Sequence, residues 1–143
     1  MERRTDPRNL VLVVDDERGV RESLRFLLEP HFRVHAVANG EAAVAVLREQ
    51  HVGVVLLDLT MPGWSGVETL ARMREVDDDV EVVIVTGYGS SHDTQEAQRL
   101  RAFDFVTKPL DSARLLSTVR RAEESHRRRR LAADDERPAP RRP

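Results

Sequence analysis

The sequence predicts an α/β fold, a parallel sheet doubly wound by helices on both faces. Three observations carry this. Five short apolar runs alternate with segments of helical period between residues 10 and 120. Three of those runs are nearly continuous in Val, Ile and Leu, as strands buried on both faces of a parallel sheet are. Strand–helix alternation of this kind implies right-handed crossovers and therefore parallel pairing.

The elements follow in order. "LVLVV" (10–14) reads as the first strand, and Val20, Leu24, Leu27 and Leu28 then mark the buried stripe of a helix. "FRVHAV" (32–37) alternates more, as an edge strand does. Asn39 ahead of Glu41 signals a helix start, and Ala43, Val46 and Leu47 give its apolar face. "VGVVLL" (52–57) is the third strand. "SGVE" (65–68) has the form of a capping box, with Val67, Leu70 and Ala71 behind it. "VEVVIV" (80–85) is the fourth strand. The segment from Ser90 to Leu100 is mostly polar and carries the faintest helical pattern. "AFDFV" (102–106) is the fifth strand, and Asp111 suits the cap of a last helix marked by Leu115, Leu116 and Val119. From about Arg120 onward no apolar face is legible. Residues 123–143 therefore read as a charged helical extension that frays into a disordered Arg/Pro-rich tail.

Composition narrows the function. At 143 residues there is room for one domain and little else. The net charge of -2 gives no global push toward nucleic acid or a membrane surface. No cysteine is present, so disulfide and thiolate chemistry are excluded. No apolar run approaches a membrane span or a signal peptide, so the expected location is cytoplasmic. The 23 basic residues include a single lysine, Lys108.

In doubly wound sheets, ligands bind at the carboxyl ends of the strands. The residues there form a set. Asp15 and Asp16 end the first strand, Asp58 the third, Thr86 and Gly87 the fourth, and Lys108 and Pro109 the fifth. Each alone would be an ordinary cap or turn. Together they describe a site. Three adjacent carboxylates repel unless a cation relieves them. A hard divalent ion such as Mg²⁺ takes oxygen ligands and keeps waters. Lys108 adds a compact positive charge, and Thr86 a hydroxyl. These are the parts that hold a phosphoryl group, with Asp58 as the nucleophile that would form an aspartyl phosphate.

The stretches "VLVVDDERGVRESL", "VVLLDLTMPGWSGVETL", "VVIVTGYGS" and "AFDFVTKPLD" carry a resemblance. Over about residues 8 to 122, the chain resembles the receiver domain of bacterial two-component response regulators. The resemblance implies the strand order 2-1-3-4-5 with five helices, the flavodoxin-like arrangement. It implies that Asp58 is the phosphoacceptor and that Asp15 and Asp16 hold Mg²⁺, Asp16 as the direct ligand. The backbone carbonyl of Thr60 would complete the metal site. Thr86 would be the switch hydroxyl, Lys108 the phosphate-binding lysine, and Phe105 the aromatic switch. The phosphoryl group would come from a sensor histidine kinase or from acetyl phosphate. The domain would catalyse only its own phosphorylation and dephosphorylation. Thr60 and Tyr88 would flank the phosphoryl group, with Tyr88 shielding it from water.

Three features depart from the family pattern. Arg101–Ala102 stands where Gly-Ala is usual, which suggests an altered end of the fourth helix. That helix is unusually polar, and Arg18 replaces a frequent proline. Output is expected through the face of the fourth helix, fifth strand and fifth helix, to a homodimer or an effector protein. Asp104, Arg99, Arg101 and Arg120 are candidates for ion pairs across it. Two other readings are weaker. Haloacid dehalogenase-type phosphatases place their nucleophile after the first strand and a second Asp two residues on, where this chain has Thr60. "HRRRR" (126–130) is basic, but "ADDE" follows it and no recognition motif surrounds it, so direct nucleic-acid binding is not expected.

Overall fold

The computed structural model describes residues 9–87 and 91–135. Five strands form one parallel sheet: β1 (Leu10–Val14), β2 (Arg33–Val37), β3 (Val54–Leu57), β4 (Glu81–Thr86) and β5 (Asp104–Thr107). Their order is β2-β1-β3-β4-β5. Five helices connect and cover them: α1 (Arg18–Leu28), α2 (Gly40–Glu49), α3 (Gly66–Val76), α4 (Ser91–Arg99) and α5 (Ser112–Asp135). The expected fold class and strand order are both found. The faint helical pattern after Ser90 is a helix.

Side-chain alternation along the strands builds two cores. Leu10, Leu12 and Val14 of β1, Val55 and Leu57 of β3, and Val82 and Ile84 of β4 pack with α2, α3 and α4. Val11, Val13, Val54, Leu56, Val83 and Val85 point the other way and pack with α1 and α5. The central strands are buried on both faces for this reason, which explains their near-continuous apolar runs. β2 is an edge strand, paired only with β1 in register Leu10↔Arg33 to Val14↔Val37.

The anticipated caps form. Asn39 accepts a hydrogen bond from the Ala42 amide at 2.8 Å, Ser65 from the Glu68 amide at 3.1 Å, and Asp111 from the Arg114 amide at 3.1 Å. The end of α4 corrects an expectation. Arg101 takes φ 64°, the conformation a glycine would take. The Ala102 amide bonds the Ala97 carbonyl and the Arg101 amide bonds that of Gln98, the paired closure of an ordinary helix end. Arg74 holds this corner, donating to the carbonyls of Leu100 and Arg101 at 2.9 and 3.0 Å. The terminus is therefore unaltered, and the arginine carries the left-handed strain.

The helical extension expected after residue 122 continues α5 to Asp135, but it has a packed face that the sequence did not reveal; the tail expected beyond it lies outside the described residues. Ala122 and His126 are buried against the amino-terminal edge of the sheet. The face was illegible because its buried members are an alanine and a histidine, flanked by half-buried Glu123 and Ser125, rather than large apolar side chains. No helix among the described residues is long and apolar enough to cross a membrane.

Candidate functional site

The order of connection reverses between β1 and β3, so the loops that follow these strands diverge and leave a crevice. Asp15 follows β1 and Asp58 follows β3, one on each side of it. Asp15 and Asp58 are buried and Asp16 is exposed. One oxygen from each of the three lies within 4.8 Å of the others, an all-oxygen cluster that could hold a metal ion.

Each carboxylate is aimed by backbone amides. Asp15 Oδ1 accepts from the Glu17 amide at 2.9 Å, and Asp58 Oδ1 accepts from the Thr60 amide at 3.1 Å. The remaining oxygens face Lys108. Its Nζ donates to Asp15 Oδ2 at 2.9 Å and to Asp58 Oδ2 at 3.3 Å. Burial by itself would lower the Lys108 pKa. The Asp15 hydrogen bond and the charges of Asp15 and Asp58 outweigh that, and the pKa is raised above the ordinary lysine value. The lysine therefore stays protonated at neutral pH.

Two of the three clustered carboxylates thus share the one ammonium, and the cluster is left with a formal excess of two negative charges. Thr86 closes the fourth side. It is buried, and its hydroxyl has no hydrogen-bond partner. A buried orphan hydroxyl is costly and uncommon. An open depression is lined by Asp16, Asp58, Thr60, Thr86 and Lys108, so the site is reachable from solvent. Phe105 sits in the middle of β5, half-buried and packed against the α2–α4 core. Every one of these site residues lies in or beside this crevice except Phe105, which lies below it on β5. Tyr88 lies outside the described residues.

Sequence reasoning missed several supports. Arg21 donates to the Asp15 carbonyl at 2.9 Å and ties α1 to the loop. Gly66 lets the start of α3 press on the Asp58–Leu59 backbone, where an added Cβ would stand 2.4 Å from the Asp58 carbonyl oxygen. A glycine inside a capping signal, at the first residue of a helix, was the available clue. The four residues expected to make ion pairs across an interface are engaged within the chain. Arg99 pairs with Glu96, Arg101 with Asp78, Arg121 with Asp104, and Arg120 bonds His31.

A family model described as the response regulator receiver domain matches residues 11–120. The C4-dicarboxylate transport transcriptional regulatory protein DctD of Rhizobium meliloti is 34% identical over 118 residues, 82% of this chain and 26% of its own length. The chain thus spans about a quarter of the length of the first curated relatives it matches. The sporulation initiation phosphotransferase F of Bacillus subtilis is 32% identical over 112 residues, 78% of this chain and 90% of that protein. Among solved structures, a CheY-like receiver domain protein from Methanospirillum hungatei superposes with a TM-score of 0.81 at 21% identity. It covers 85% of this chain and 98% of its own.

Proposed function

This chain belongs to the response regulator receiver family of two-component systems, and on that premise we propose that Asp58 accepts a phosphoryl group from a sensor histidine kinase. One observation carries the reading. The Asp58 carboxylate is buried at the crevice with two further carboxylates, one lysine and an unpartnered threonine hydroxyl around it. The charge balance is incomplete without ligands, and the missing pieces are a cation and a group with oxygens for Lys108 and Thr86 to meet.

Mg²⁺ suits the cation position, because every donor is a hard oxygen. Asp15, Asp16, Asp58 and the backbone carbonyl of Thr60 would hold it, and it would neutralise charge on the carboxylates and the phosphoryl oxygens. The chain's own residues do the rest. The Thr60 amide fixes one Asp58 oxygen. The other attacks phosphorus as the phosphorus–nitrogen bond of the kinase phosphohistidine breaks. The bonding pair leaves with the imidazole, which takes up a proton. Lys108 shifts from the carboxylate pair toward the new phosphoryl oxygens, and Thr86 turns its free hydroxyl to them. Phe105 moves into the space released, and the face of α4, β5 and α5 repacks. That face would meet a second copy or an effector protein, with no direct nucleic-acid or membrane contact. The chemistry is confined to its own phosphorylation and dephosphorylation, in the cytoplasm where a kinase domain would supply the group. In this reading residues 8–122 are the receiver and residues 123–143 an extension of it.

Intact-mass spectrometry after incubation with Mg²⁺ and acetyl phosphate, and separately with a phosphorylated histidine-kinase domain, tests this. One added phosphoryl group is expected on the wild type and none on Asp58→Asn. No gain from either donor, or equal gain in the variant, overturns the proposal.

A further inference from the structure

The opposite edge of the sheet holds a second ionisable cluster, unrelated to the phosphoryl site. Glu81 opens β4 and its side chain is 3% exposed. Its carboxylate accepts from Ser125 Oγ at 2.6 Å and pairs with Arg129, and both partners lie on the far half of α5. His126, between them, is 2% exposed. Its ring packs on His51 with centroids 5.1 Å apart and planes 38° inclined. Gly53 lies beside it, where a Cβ would be in van der Waals contact with His126 Nδ1 at 3.4 Å. Its Nε2 is buried with no hydrogen-bond partner. Asn9, just ahead of β1, bonds Glu123. Arg130 donates to His51 Nδ1 at 3.3 Å. The far half of α5 is therefore clamped across the start of the sheet mainly by polar contacts around one buried imidazole.

We propose that residues 123–130 form a pH-gated latch, docked on the amino-terminal edge of the sheet while His126 is neutral and released when it takes up a proton. A neutral imidazole tolerates this site. An imidazolium carries two N–H donors, and the Nε2 side offers no acceptor. The surrounding charges have mixed signs. Asp77 at the end of α3 and Glu81 on β4 favour the charged ring. His51 before β3 and Arg130 on α5 oppose it. Burial is the largest influence, and the His126 pKa is lowered. That of His51 is lowered too, by burial first, then by Arg130 and, more weakly, Arg33 of β2, with Asp77 opposing. The sign follows. The released segment binds the proton more readily than the docked one. Docking is then fully favoured above the free-histidine value of about 6.5 and weakens as pH falls below it. Release would uncover Gly53 and Asn9 and let water reach Glu81. The latch does not depend on what happens at Asp58.

Hydrogen–deuterium exchange on the full chain at pH 7.5 and 5.5, corrected for intrinsic exchange rates, reads the latch directly. Amides of residues 123–130 are expected to lose about tenfold in protection at the lower pH, while β1, β3 and β4 keep theirs. His126→Phe, which fills the site without titrating, is expected to abolish that loss. Unchanged protection in the wild type, or the same loss in the variant, overturns the proposal. NMR titration of the wild-type His126 ring provides a second reading without a substitution. A midpoint below that of free histidine is expected, and one at or above it overturns the latch.

Discussion

The two ends of this sheet each bury carboxylate, and they treat it in opposite ways. At the carboxyl end, Asp15, Asp16 and Asp58 face a single lysine across an open depression, and the Thr86 hydroxyl has no partner. At the amino end, Glu81 is met by one arginine and one serine hydroxyl, both carried by the helix that lies over it. The Glu81 carboxylate is thus satisfied within the chain. The carboxyl end is left short of positive charge and short of an acceptor. Interactions left incomplete and open to solvent are what a ligand can complete, whereas balanced and covered ones hold the fold.

The contrast predicts substitutions of opposite sign. Arg129→Ala strands the buried Glu81 charge and should lower stability by about 2–3 kcal/mol, since losing one partner of a buried pair is strongly unfavourable. The figure sits at the low end because the Arg129 side chain is 43% exposed. Asp58→Asn at the other end removes a charge from a crowded cluster. Stability without divalent ions should rise by about 1 kcal/mol, even as the proposed phosphoryl acceptor is removed. Urea unfolding of both variants checks this, and a loss of stability in Asp58→Asn would break the comparison.

The ends should also part with pH. Lys108 has its pKa raised in the folded chain. Its contribution is fully present below the unfolded lysine value and is lost as pH rises through the folded one. Unfolding free energy should therefore hold nearly level to about pH 10 with respect to this pair and decline above it. The amino end weakens on the acid side instead. Urea melts from pH 8 to 11 on wild type and Lys108→Met would show the alkaline decline in the first alone. The smallest effect belongs to neither end. Arg101→Gly should relieve the strain at φ 64° and lose only an exposed pair with Asp78, for a net gain of roughly 0.5 kcal/mol by thermal unfolding. It serves as the baseline for a site outside both clusters.

Much of the crevice was legible in the sequence because its residues stand at fixed places relative to strands. Asp15, Asp58, Thr86 and Lys108 each end a run whose apolar pattern marks a strand. Parallel strands bring their ends to one rim whatever the loops do. The amino-end cluster was not legible for the converse reason. Glu81 sits inside "VEVVIV" and looks like a polar interruption of a strand. Its partners lie 44 and 48 residues away, on the half of α5 that has no legible apolar stripe. Arg74 and Arg101 were hidden in the same way. Their partners are main-chain carbonyls and a distant aspartate, groups every sequence contains.

By itself, then, the sequence determined the fold class, the order of elements and which residues gather at the carboxyl rim, because hydrophobic period and strand ends are local properties. Only the tertiary structure decided which face of α5 is buried, that Arg101 would adopt a glycine's conformation, and which charges pair within the chain. Those outcomes depend on groups far apart in sequence meeting at one place. A charged residue on a helix gives no local sign of whether water or a buried partner will solvate it.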